Sequence, residues 1–402
     1  MKIPRVLCLL SAVLVILVVA SCRGPVALNG TGGSASGGGA TATTVQTATP
    51  VKYLVVLVFQ NRSFDHLFQK YTPVAGQTIE VAQPGSPGFT QTDASGASFS
   101  PFLLSNPFTP DLRHDRNFYL TSWDNGAMDG FVKANGSQSM GYYDSSTPAM
   151  SILYDYATNF ALADHYFSSI LSSAPAQMLY AVSADDNNQP FSTQPAFGPC
   201  NSPDPAAFQD TAPNVGDQLS GQNIGWTWFH ENYGVCGSYV PQQNAFQYFT
   251  STQNGPHIQD YQVFLQQLSA NTLPSVSFVQ MNPSHSGHPG SSSITAAINF
   301  LDSFVKQVQT SSAWNQMAIV AVWDEGGGWY DHVSPPQIDS QGLGIRVPML
   351  VISPFAKKGV VVHGVMDHTS ILKFIQFNWG LPPLNPRNSD PAIGNMTTMF
   401  NF

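Results

Sequence analysis

An apolar run at residues 317–322 (MAIVAV) passes directly into WDEGGGWYDH, so two aspartates, a glutamate, a histidine and three glycines follow one strand-length hydrophobic segment. A run of small and β-branched residues without polar alternation reads as a strand covered on both faces, as in parallel sheets. A second run of the same kind, residues 51–59 (VKYLVVLVF), ends in Gln60-Asn61-Arg62-Ser63-Phe64-Asp65-His66. Ligands of α/β sheets bind beyond the carboxyl ends of strands, so the two polar strand ends are expected to meet at one edge of one sheet. Adjacent Asp324 and Glu325 repel each other unless a cation or a shared proton offsets the charge, which points to a metal; a solvated acidic turn is the alternative. The glycines let the backbone turn tightly around whatever the acids hold. Asn61 offers a carbonyl to a cation or an NH₂ to an oxyanion, and Arg62 and Asp65 are placed to pair and hold the turn.

The rest of the chain alternates strand and helix signals. Residues 150–163 carry apolar residues at helical spacing and predict an amphipathic helix, followed by a turn at Asp164 and a short strand over 166–171. Pro175 suits the first turn of a new helix. Further strands are expected over 223–230, 275–280 and 347–353, and helices over 292–309 and 369–379. Residues 76–110, rich in Gly, Pro, Ser and Thr, read as a long loop or flap. This alternation predicts a three-layer α/β sandwich, one large domain with a mainly parallel central sheet and loop insertions.

Composition narrows the setting. Charged residues make up only 10% of the 402, and the net charge is −9. With no Lys/Arg cluster beyond the first residues, nucleic acid is excluded as the expected partner. Lys2 and Arg5 precede an apolar stretch over 6–20 and then Ser21-Cys22, the pattern of a signal peptide over 1–21. Its end resembles the lipobox of bacterial lipoproteins, which implies a lipid on Cys22 and attachment to a membrane; an ordinary secretory peptide is the alternative. Residues 22–50, mostly Gly, Ser, Ala and Thr, read as a tether. The expected location is therefore the cell envelope or the exterior. Cys200 and Cys236, the two cysteines left in the body, read as one disulfide.

The segments NRSFDH (61–66) and DEGGGWYDHVSPP (324–336), in that order, have several companions: DLRHD around His114, NGAMDGF (125–131), FALADHYFSS (160–169), His288-Pro289 and DHTSILKFIQFNWGLPP (367–383). Together they resemble the bacterial phosphoesterase family that contains phosphocholine-type phospholipases C and an acid phosphatase branch, over nearly all of residues 51–402. The resemblance implies an alkaline-phosphatase-like α/β fold and an exported phosphoesterase with one divalent metal of unknown identity. It would act on phosphomonoesters or phosphodiesters through a hydroxyl nucleophile. Carried over by position, Gln60, Asn61, Asp324 and Glu325 face the metal, while His114 and His288 face the phosphate as catalytic groups. Asn61 and His332 are the substrate-facing candidates, with orienting other groups as the alternative role for His332. The family's nucleophile opens a helix with a Pro two residues behind it, which makes Ser173 the nucleophile here. An ungapped alignment would put Ala174 in that place, and Ser172 is a weaker substitute. Both serines are also natural helix N-caps without any catalysis.

Departures from the family pattern matter as well. Gln60 stands where Glu is usual, which keeps an oxygen ligand but removes a negative charge. Gly287 stands where an acidic residue is common. Asp367-His368 reads as a helix start, Trp329 as a candidate pocket wall, and His230, His257, His285 and His363 as background. The chain lacks the extra C-terminal β region of the larger phospholipases C, which tilts the expectation toward a phosphatase-like role. The competing function is a catalytically degenerate relative that binds ligands at the envelope.

Overall fold

Both apolar runs become neighbouring strands. The computed structural model describes residues 46–187, 195–200, 204 and 207–402; Cys22, the expected signal peptide and most of the expected tether lie outside the described residues. The main sheet contains β1 (Tyr53–Phe59), β2 (Ala161–Ala163), β3 (Trp226–His230), β4 (Ile258–Asp260), β5 (Val276–Gln280), β6 (Met317–Trp323), β7 (Met349–Ile352) and β8 (Val361–Val362). Their order in space is β8-β2-β7-β6-β1-β5-β3-β4. β1 pairs in parallel with β5 and β6, and Phe59 lies opposite Trp323, so both strands end at the same edge. Only β7 runs antiparallel to its neighbours, so the sheet is mainly parallel.

The helices that matter for the site and its packing include α1 (Phe64–Phe68), α2 (Arg116–Trp123), α3 (Pro148–Asn159), α4 (Ala174–Ser183), α5 (Tyr261–Ala270), α6 (Ile294–Gln309) and α7 (His368–Trp379). α3 packs on α6, and α4 packs on α7. Successive side chains of a strand point to opposite faces, and every residue of β5 and β6 is buried. Both faces of the sheet are therefore covered, which makes the fold a three-layer α/β sandwich. Each buried aliphatic or aromatic side chain on these strands contributes roughly 1.5–3 kcal/mol, which leaves the strand ends as the places where polar residues cost least.

Two segments differ from expectation. The helix expected over 150–163 stops at Asn159, Phe160 is extended at φ −134°, and Ala161–Ala163 forms β2 against β7 and β8. Small apolar residues satisfy a helical stripe as well as a strand, and here pairing with distant residues decides. The strand expected over 166–171 shrinks to Tyr166–Phe167, which pairs with Met366–Asp367 outside the main sheet.

The described residues, 46 onward, form one unit. Ala48 and Thr49, within the stretch read as tether, are already tied to it. The Ala48 N–H donates to the Asn378 carbonyl at 2.8 Å, and the Thr49 hydroxyl donates to Asn378 Oδ1 at 2.7 Å. Cys200 and Cys236 are disulfide-bonded with Cα atoms 5.1 Å apart, as expected. Among the described residues, no helix is long and apolar enough to cross a membrane.

Candidate active site

The parallel pairing of β1 and β6 delivers Gln60-Asn61 and Asp324-Glu325 to one place. The Asn61 N–H donates to Asp324 Oδ1 at 2.8 Å, the Asn61 side-chain amide donates to Glu325 Oε1, and Gln60 Nε2 lies 3.4 Å from Asp324 Oδ2. Asn61 adopts φ 62°, in the left-handed region that Asn tolerates better than other side chains. Gly327, at φ 63°, donates its N–H to Glu325 Oε2 at 2.7 Å. A Cβ at Gly327 would overlap the Asn61 carbonyl, so this glycine is required both by its dihedral and by close approach.

Both carboxyls are almost wholly out of solvent. Burial pushes Asp324 up to about 6 and Glu325 up to about 7, against the pull of nearby N–H groups and His114. Among the described residues no lysine or arginine reaches their oxygens. The nearest basic group is His114, whose Nε2 is 3.8 Å from Glu325 Oε1. Burial lowers the pKa of His114, but Glu325 and Asp111 outweigh it and the net shift is upward. The His114 and His288 rings meet edge to face, with centroids 5.9 Å apart. His288 moves the other way, depressed by burial and by the neighbouring His114 and Arg62 charges.

Arg62 does not pair with Asp65. Its guanidinium is fully buried and donates to the Gly287 carbonyl at 3.2 and 3.0 Å and to the Thr109 hydroxyl at 2.9 Å. Burial brings it down to about 10. Arg62 therefore holds the loop that carries His288, and Gly287 sits there at φ 83°, a conformation that favours glycine over an acidic side chain. Asp65 pairs instead with Arg346, at 2.9 Å, and with His332.

Ser173 is the N-cap residue of α4, with Pro175 in the first turn as expected. Ser172 is fully buried, with its hydroxyl lacking a hydrogen-bond partner, while Ser173 is partly exposed. The segment is joined to the His114 segment by Arg116, which donates to the Leu171 carbonyl at 3.3 Å. His332 lies in a different cluster. Its Nδ1 is 2.6 Å from Asp65 Oδ2, beside Asp331, whose two oxygens accept from Arg346 Nε at 3.1 and 3.2 Å. Trp329 is buried and packs against His66 with the rings tilted by 35° and their centroids 4.1 Å apart, which makes it a support beneath the loop rather than an exposed wall.

Two supporting residues, Gln243 and Gln177, escaped the reading of the sequence, and His368 was read only as part of a helix start. Gln243 donates to Gln60 Oε1 at 2.9 Å. Gln177, wholly buried, accepts from the Ser169 N–H at 2.7 Å and donates to the carbonyls of Ile170 and Ser172 at 2.7 and 2.9 Å. His368 is more than a helix start. Its Nε2 meets the Asp324 carbonyl at 2.7 Å and its Nδ1 the Tyr166 hydroxyl at 2.8 Å, while Asp367 caps α7 as expected. A polar residue directly after a strand signals the acids, but nothing local marks a glutamine that acts from another element.

The donor set suits a hard divalent cation. Asn61 Oδ1 is a buried oxygen without a hydrogen-bond partner, beside two buried carboxyls that lack a strong basic partner, with the Gln60 side-chain amide against Asp324. Oxygen ligands of this type are what such cations take, and an unbalanced buried acid pair is costly without one.

The model of the phosphoesterase family matches residues 51–382. The chain is similar to phospholipase C A of Mycobacterium tuberculosis, 26% identical over 88% of this chain and 78% of that protein. It is also similar to non-hemolytic phospholipase C of Pseudomonas aeruginosa, 26% identical over 88% of this chain and 57% of the other. Non-specific phospholipase C3 of Arabidopsis thaliana is 24% identical over 82% and 67%. Among solved structures, a protein in the alkaline phosphatase superfamily from Vibrio parahaemolyticus superposes with TM-score 0.43 at 9% identity, over 86% of this chain and 70% of that one. That likeness is too loose to carry weight, and the sandwich rests on the sheet described above.

Proposed function

On the premise that this chain belongs to the phosphoesterase family and is a hydrolase of phosphoester bonds, we propose that it cleaves its substrate at the edge formed by β1 and β6, with Ser173 as nucleophile and one divalent cation held by Gln60, Asn61, Asp324 and Glu325. The observation that carries this reading is the convergence of Asn61 with Asp324 and Glu325, an orphaned amide oxygen beside two buried acids. A cation there lowers the pKa of a bound hydroxyl and offsets charge on the phosphoryl oxygens.

The remaining steps belong to the chain's own side chains. Ser173 Oγ forms a bond to phosphorus as the bond to the leaving oxygen breaks, giving a phosphoserine; water then attacks phosphorus and frees Ser173 and phosphate or its monoester. The main-chain N–H groups of the first turn of α4, which have no partner within the helix, favour an anion at that position. Between the two serines, partial exposure favours Ser173 over the enclosed Ser172. His114 and His288 bind the phosphoryl oxygens, and one of them returns a proton to the leaving alkoxide. The relatives named phospholipase C suggest a phospholipid diester as substrate, with phosphomonoesters as the alternative. A disulfide between Cys200 and Cys236 fits an oxidising compartment, consistent with export and with a lipid on Cys22.

Turnover of p-nitrophenyl phosphate and p-nitrophenyl phosphorylcholine by the full chain, with and without chelator, tests this. The expected result is activity that a chelator removes and added divalent metal restores, with Ser173→Ala lower by at least about a thousandfold. Inertness toward both esters across several metals, with phosphate still bound, would support the ligand-binding alternative instead.

A further inference from the structure

We propose that Asp164, His165 and His363 form a second cation site, suited to zinc or another imidazole-binding transition ion and separate from the acid pair. β2 and β8 are parallel neighbours with Ala163 opposite Val362, so the residues that follow them, Asp164 and His363, emerge side by side. His363 Nδ1 lies 2.8 and 3.0 Å from the two Asp164 oxygens, and His165 Nδ1 lies 3.0 Å from Oδ1. One donor atom from each of the three residues falls within 4.8 Å of the other two. Ligands at about 2.0–2.1 Å in a tetrahedral shell stand roughly 3.3 Å from each other, so modest adjustment of these side chains admits an ion.

The donor chemistry agrees. Two imidazoles with one carboxylate make a set that zinc accepts and that magnesium or calcium, which prefer all-oxygen shells, does not. The Asp164 side chain is fully buried, while those of His165 and His363 are 21% and 48% exposed, so an ion has a route in from the surface. Asp164 is held in place by the Glu80 N–H, which donates to Oδ2 at 3.0 Å, and by Arg346, which donates to the Asp164 main-chain carbonyl at 2.9 Å. Among the described residues, its carboxylate meets no lysine or arginine side chain. Glu80 Oε2 is 3.0 Å from the other ring nitrogen of His165, Nε2, so Glu80 orients that imidazole from behind and the fourth position is left to water.

The place in the fold gives the site a consequence. β2 is two strands away from β6, about 10 Å across the sheet, so the two sites share an edge without sharing ligands. Asp164 and His165 open the segment that runs through Tyr166–Phe167 to Ser173. An ion there fixes the start of that segment to the end of β8 and to the 76–110 flap through Glu80.

Zinc binding to the full chain carrying Asp324→Asn and Glu325→Gln tests this, because that background silences the acid pair. The expected result is one zinc per chain by elemental analysis after gel filtration. Adding His363→Ala weakens that binding at least about tenfold in a chelator competition. Cobalt(II) added to the same background gives the intense visible bands of a tetrahedral site, which His165→Gln removes; this readout stands even if one histidine variant folds poorly. No zinc bound in the carboxylate background, or zinc binding and cobalt bands unchanged by both histidine variants, would overturn the proposal.

Discussion

Gln60 shows how a single side chain sets the charge of a buried site. Its amide stands 3.4 Å from Asp324 and is held on its far side by Gln243, so a carboxylate of nearly the same shape would fit without moving the backbone. Gln60→Glu would bring a third negative charge to the cation while keeping the Gln243 hydrogen bond. The expected outcome is divalent-metal affinity higher by at least about tenfold, read from metal titrations of activity, with lower stability of the metal-free protein in urea. Unchanged metal affinity would argue against Gln60 as a ligand. Gly327 is the companion case. Gly327→Ala forces the chain away from the Asn61 carbonyl, with an expected loss of more than about 1 kcal/mol in unfolding and of most activity. At this scale Asn61, Asp324 and Glu325 were legible because each follows an apolar run directly. The partners of His332 and Arg62, Asp65 and Gly287, were not legible, since they are chosen by the packing of loops rather than by spacing along the chain.

At the scale of elements, the turn from Ser168 to Ser173 buries Ile170 and Leu171 and has its main chain held by Gln177 from inside α4. Gln177→Leu leaves the Ser169 N–H and the carbonyls of Ile170 and Ser172 without that amide, a cost on the order of 3 kcal/mol. If the turn positions the nucleophile, kcat falls with KM changed little; a stability loss with kinetics intact would show that the turn is only structural. β1, β5, β6 and α6 could be read from the sequence because apolar period and length agree there. β2 could not, because ALA fits helix and strand equally and its identity depends on residues 349–351 and 361–362. The antiparallel β7 carries no local mark of its direction.

Across the whole molecule, one buried cluster joins segments that are far apart in sequence. Arg346, ahead of β7, contacts Asp65 after β1, Asp331 after β6, the carbonyl at the end of β2 and the Glu80 carbonyl in the flap. His332 is part of it. Burial disfavours its charge, but the hydrogen bond to Asp65 and the charges of Asp65 and Asp331 prevail and raise its pKa. A raised histidine stabilises the fold fully below its unfolded value, near 6.5, and that contribution is lost as pH climbs through the folded value. Wild type is therefore expected to exceed His332→Gln in denaturant stability near neutral pH, with the gap closing in alkali. A gap independent of pH would mean that the ring acts by shape alone.

The clasp of Asn378 on Ala48, Thr49 and Val51 ties the backbone ahead of β1 to the last turn of α7. The backbone enters the sheet at the amino end of β1 and reaches Asn61 only after seven strand residues, a rise of ~23 Å. The acid pair therefore lies at the opposite end of β1 from this clasp, a full strand's length away.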